Sequence, residues 1–121
     1  MVALPEIFRN NAYRHRSLAA PRDYRELRNR LELLLASIVR RAAFDIALYR
    51  GSTRLEHRLV AVGAYNWMFR EDTPIDPADQ FTNFVHICDV LDEDPDWIRA
   101  KTLELRREDV KKYQRVERDS R

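Results

Sequence analysis

Cysteine is almost missing from this chain: Cys88 is the only one among 121 residues. A single thiol excludes an intramolecular disulfide and suits a reducing compartment. Glycine is nearly as scarce, with Gly51 and Gly63 alone. That excludes a glycine-rich phosphate loop and leaves tight hairpins without their preferred residue. Val and Ile never alternate with period two over a useful length, which disfavours sheets. No apolar run nears the ~18 residues of a membrane span, and the first residues lack the hydrophobic core of a secretory signal. A soluble, cytoplasmic protein with no membrane association is expected.

What is present is ordinary apolar content, 45% of residues, enough for one packed domain at this length. The expected fold class is all-α: a single domain of about four main helices, with one long scaffold helix and a C-terminal helix-turn-helix-like unit. The net charge of +2 hides a segregation. Residues 1–58 carry twelve Arg against six acids, residues 59–100 only Arg70 and Arg99 against nine acids, and residues 101–121 eight Lys or Arg against five acids. Basic ends around an acidic middle suit an anionic partner at the ends or a protein partner of opposite charge. Solvated helix faces would produce the same pattern.

Residues 1–21 read as an arm, punctuated by Pro5 and Pro21 and expected to pack through Ile7, Phe8 and Tyr13. From 22 to 50 a long amphipathic helix is expected. Tyr24, Leu27, Leu31, Leu34, Ile38, Ala42, Asp45 and Tyr49 recur at three or four, with Leu35, Val39, Ala43 and Ile46 widening the stripe. So wide an apolar arc on so long a helix admits a homodimer through 22–49. Gly51 is expected to end that helix in a left-handed cap, and Thr53 with Glu56 has the form of a capping box. The helix over 54–70 places Leu55, Leu59, Val62, Asn66 and Phe69 on one side. Gly63 in its middle costs about 1 kcal/mol against Ala and is read as allowing close helix contact. Trp67, Met68 and Phe69 are dense enough to centre a core rather than to form a stacking platform for bases. A loop follows, in which Asp76 and Pro77 have the form of a helix start.

The stretch 81–105 is the organising feature. A helix over 80–91 turns inward Phe84, Ile87, Val90 and Leu91, with Cys88 where only a small side chain fits. Asp92, Glu93 and Asp94 form the turn, and Asp94 with Pro95 is a strong start for a helix over 95–113 that packs back through Trp97 and Ile98. Residues 114–121 are expected to fray. The turn position that is often Gly is Asp92, which tolerates left-handed backbone better than most residues.

This stretch resembles the helix-turn-helix of bacterial DNA-binding proteins. It is also similar to a group of small, uncharacterised bacterial and phage proteins with a Trp-containing helix, an Ile-Cys-x-x-Leu helix and an Asp-Pro-x-x-Ile-Arg start. The matching residues are Trp67, Asp72, Phe81, Phe84, Ile87, Cys88, Leu91, Asp94, Pro95, Ile98 and Arg99, within about residues 55–107. The resemblance implies a fold and suggests DNA binding or transcription modulation; it does not supply a known activity.

Two functions follow as expectations. In the first, Arg99, Lys101, Arg106, Arg107, Lys111 and Lys112 contact duplex DNA, although the acids at the start of the second helix oppose a phosphate polyanion. In the second, a non-enzymatic protein-interaction module binds a basic partner through Glu71, Asp72, Asp89, Glu93, Asp94 and Asp96. No catalytic, metal or cofactor site is expected. His15, His57, His86 and Cys88 do not make a metal set, since His86 and Cys88 point about 200° apart on a helix. The serines lie outside nucleophile motifs. The Glu71, Asp72, Asp76, Asp79 cluster lacks calcium-loop spacing.

Overall fold

The computed structural model describes residues 6–8, 24–71 and 75–119, and across these the chain is all-α, with six α-helices and no strand. A 3-10 turn, Glu6–Phe8, precedes α1 (Tyr24–Tyr49), α2 (Leu55–Phe69), α3 (Pro77–Phe81), α4 (Phe84–Val90), α5 (Pro95–Glu104) and α6 (Arg107–Asp119). Of the arm, Ile7 and Phe8 are buried in the core; Tyr13 lies outside the described residues.

The core lies against the C-terminal half of α1. Val39, Ala43, Phe44 and Ile46 meet Ile7 and Phe8, Met68 of α2, Phe84, Ile87 and Cys88 of α4, Ile98 of α5, Leu105 and Val110. Each large side chain so buried contributes about 1.5–3 kcal/mol. The seam facing inward on α1 is notably small: Ala36, Ala42, Ala43 and Ala47 are buried, as is Ala61 on α2. Small side chains let helix axes approach closely and leave room for Met68 and Phe8 beside them.

The expected inner face of α1 holds in its C-terminal half, where Val39, Ala42, Ala43 and Ile46 are buried, and fails elsewhere. Tyr24, Leu27, Leu31, Leu34 and Ile38 are exposed on α1, and Leu55, Leu59 and Val62 are exposed on α2. Hydrophobic spacing located the stripe on each helix. Packing buries the C-terminal part of the α1 stripe and adds Ala36 and Ala47 beside it.

The helix ends show further corrections. Gly51 does not take positive φ; Arg50 and Ser52 close the turn by donating to the carbonyls of Ile46 and Tyr49. The expected capping box is absent: Arg54 occupies the N-cap of α2 without a side-chain bond, while the Ser52 hydroxyl accepts from the Arg54 amide at 3.1 Å. Among the described residues Gly63 permits no close contact, since a Cβ there would meet none of them within 4 Å.

Two expected helices are each divided. Asn83 accepts from the amides of Val85 and His86 and so begins α4 afresh after α3. At the other break Leu105 is extended, and the Asp109 carboxylate reaches back to the Arg106 amide at 3.3 Å, starting α6. The last helix runs on to Asp119 rather than fraying from 114, because Tyr113 packs edge-on against Phe44 and Glu117 pairs with Arg40 at 3.7 Å.

Candidate interaction surfaces

The turn between α4 and α5 is built as its residues require. Leu91 is the C-cap and Asp92 follows with φ 56°. The Glu93 amide donates to the Cys88 carbonyl at 2.8 Å and the Asp92 amide to Asp89 at 3.1 Å. This pair of bonds is the Schellman closure, and it satisfies two carbonyls the helix end leaves open. Asp94 then accepts from the Asp96 amide, with Pro95 at the first helical position. Ile87, Cys88 and Ile98 are buried where the two helices meet. Cys88 packs in the core, and burial pushes its thiol up to about 12, which disfavours the reactive thiolate.

Arg99, the first cation of the would-be recognition helix, points inward. Its side chain is only 16% exposed. Its Nε donates to the Met68 carbonyl at 2.8 Å and its Nη2 to the Arg70 carbonyl at 3.2 Å. The guanidinium thus closes the C-terminus of α2, where a cation is favoured, and lies over the Phe84 ring at 5.2 Å. Its remaining nitrogen, Nη1, is 3.1 Å from Asp96. Arg50 serves α5 in the same way, donating to the Leu105 carbonyl at 2.8 Å and the Leu103 carbonyl at 3.4 Å. Neither role shows in local sequence, because each pairs an arginine with carbonyls at least 29 residues away.

The other expected DNA contacts divide. Lys101 pairs with Glu104 at 3.3 Å and sits 6.0 Å from the Trp97 ring. That ring is 42% exposed and does not pack back as expected. Arg106 pairs with Asp109, and this hydrogen bond holds the Asp109 carboxyl below its ordinary range. Arg107, Lys111 and Lys112 are exposed on α6, together with Arg115 and Arg118. The α5 cations are engaged with neighbouring groups, and the side chains of Arg107, Lys111 and Lys112 on α6 are largely exposed.

On the acidic side, Glu71, Asp89, Asp94 and Asp96 are exposed and Glu93 is half-buried; Asp72 lies outside the described residues. Asp94 caps α5 and Asp96 faces Arg99, so part of this charge is answered internally.

Two apolar surfaces complete the exterior. On α1, Tyr24 is 79% exposed, Leu27 56%, Leu31 49% and Leu34 58%. Their alternating spacing of three and four is that of a helix-pairing seam. Arg25 and Arg28 are exposed beside it, with Arg28 3.4 Å from Glu32. Arg30, nearby, keeps Nε and Nη2 buried without an acceptor. On α2, Leu55, Leu59 and Val62 are exposed. Between α1 and α6 an open cleft is lined by Arg40, Arg41, Phe44, Asp45, Glu117 and Arg118 among others. Its charges pair across and along the walls, Arg40 with Glu117 and Arg41 with Asp45 at 3.3 Å. Burial raises the Asp45 carboxyl, against the opposing pull of Arg41. Among the described residues no group of three or more His, Cys, Asp or Glu gathers for a metal, and no helix is long and apolar enough to cross a membrane.

These features define a small all-α domain with open apolar helix faces. Compared with protein-family models, curated proteins and solved structures, the chain matches none.

Proposed function

We propose that the protein is a non-enzymatic interaction domain that takes an amphipathic helix of a partner protein on the outer stripe of α1. The observation that carries this reading is the exposure of Tyr24, Leu27, Leu31 and Leu34 at helix-pairing spacing. A contiguous apolar strip on a helix otherwise well supplied with charge marks an interaction site. Arg25 and Arg28 border the strip, so a partner with acidic flanks is favoured. A homodimer through this same helix would use the same apolar strip. The acidic surface of Glu71, Asp89, Asp94 and Asp96 offers a separate contact for a basic partner.

A direct test uses a synthetic amphipathic helix with leucine at the seam and glutamate on the flanks, followed by fluorescence anisotropy. Binding that is lost in the double variant Leu27→Glu/Leu34→Glu, and weaker for a lysine-flanked peptide, supports the reading. Equal indifference to both peptides removes it.

DNA binding is the second reading, supported by the exposed Arg107, Lys111 and Lys112 on α6. In that case α6 contacts phosphates, and binding falls steeply with salt. No shift of random duplex at low salt, where phosphate contacts are strongest, would sink it. A shift lost on replacing these three residues with Ala would support it.

A further inference from the structure

Along the chain, α6 interleaves five cations with four acids, and packing sorts them. Asp109 is buried and takes Arg106. Glu117 is half-buried and pairs with Arg40 of α1 at 3.7 Å. Two of the four acids are thus answered on the inner side, beside Val110 and Tyr113. The cations stay outside: Arg107, Lys111, Arg115 and Arg118 are all exposed.

These four form one line. At about 100° per residue they fall within an arc of about 80°, and the line runs for roughly 16 Å. Glu108 and Asp119 border it near its two ends, and Val116 lies on the far side of the helix. None of the four side chains takes part in an ion pair among the described residues, whereas Arg40, Arg41, Arg99, Lys101 and Arg106 all do.

Such a surface binds through charge alone. Protein partners are held chiefly by buried aromatic or apolar anchors, and a membrane-surface helix needs an apolar face to insert. The line offers neither, and the apolar side of α6 is already packed on α1, with Tyr113 against Phe44. Single strands are gripped by stacking on aromatic side chains, and the arc holds none. The polyanion that such a line fits is the phosphate backbone of a duplex, where charge by itself supplies sequence-independent binding.

We propose that Arg107, Lys111, Arg115 and Arg118 form a phosphate-backbone contact that holds α6 along duplex DNA without reading its sequence. This rests on the DNA-binding reading of α6 and changes its residues. Arg115 and Arg118 enter, and Lys112, which lies off the line and has a partner of its own, leaves. Four phosphate contacts give log K a slope of about −3.6 against log salt, so affinity falls about 150-fold between ~50 and ~200 mM.

Fluorescence anisotropy with a labelled duplex of about 20 base pairs, across ~50–200 mM KCl, measures that slope, with circular dichroism to verify folding. The wild type gives the full slope, and a second duplex of unrelated sequence binds within about twofold. Arg115→Gln/Arg118→Gln roughly halves the slope, and Arg115→Lys/Arg118→Lys keeps it. Lys112→Gln leaves it unchanged. A slope indifferent to Arg115→Gln/Arg118→Gln, or a preference above about tenfold for one duplex or for a single strand, overturns the proposal and leaves DNA binding through other residues standing. No binding even at the lowest salt sinks the DNA reading and this contact with it.

Discussion

Arg99→Ala distinguishes a structural arginine from a DNA contact. The substitution removes two charged-donor hydrogen bonds, to the carbonyls of Met68 at 2.8 Å and Arg70 at 3.2 Å. Bonds from a charged group contribute about 1.5–3 kcal/mol each, and the longer, exposed one belongs at or below the lower end. The contact with Phe84 at 5.2 Å adds about 0.5–1 kcal/mol. Asp96 is 87% exposed, so its ion pair contributes close to nothing. The loss comes to about 3 kcal/mol. At roughly 3–5 °C per kcal/mol for a chain of this size, Tm falls by about 10–15 °C in a circular dichroism melt. Urea unfolding should give the same loss at unchanged slope. Arg99→Lys, a point charge without the planar fork, should recover less than half. An exposed DNA-contacting arginine would behave otherwise, with stability within about 0.5 kcal/mol of wild type. A melt unchanged by Arg99→Ala would refute the helix-closing role.

Other outcomes follow from the same packing. Val39→Ala, at a fully buried site on α1, should cost about 2–3 kcal/mol by urea unfolding, whereas Leu27→Glu on the exposed stripe should stay within about 0.5 kcal/mol; equal losses would mean the inner face of α1 is wrong. Asp92→Gly, at φ 56°, should stabilise the protein by up to about 1 kcal/mol, since glycine takes left-handed backbone without steric strain, and a loss of stability in the melt would contradict the turn geometry. Cys88 should resist a thiol reagent at pH 8 until the chain is unfolded. Because its thiol is raised from 9.0 to about 12, the unfolded state ionises first and stability declines as pH rises from 9 toward 12; Cys88→Ala should remove that share of the decline. At the acid end, Asp109 is lowered from 3.8, so its contribution is present above that pH and is lost as pH falls below it, a change that Asp109→Asn should abolish.

The all-α class and several helix boundaries are legible in the chain because they rest on local chemistry. Asp94 and Pro95 start α5, and Asp76 and Pro77 start α3, through bonds that span two residues. Asp92 supplies the left-handed step, as its position after an apolar helix requires. Cys88, Ile87 and Ile98 reach the core from a spacing that is itself visible. How far each apolar stripe is buried, and where the arginines go, depends on how the helices pack. On α1 the spacing marked a stripe whose Val39, Ala42, Ala43 and Ile46 are buried while its N-terminal Tyr24, Leu27, Leu31 and Leu34 are exposed, and Ala36, Ala47 and, on α2, Ala61 are buried without having been marked. Alanine carries little hydrophobic weight in a periodicity, yet it sets how near two helix axes can lie. Arg99 and Arg50 likewise bind carbonyls that exist as open acceptors only once α2 and α5 end beside them. Local pattern places helices, and the distance between them decides which residues remain outside to meet a partner.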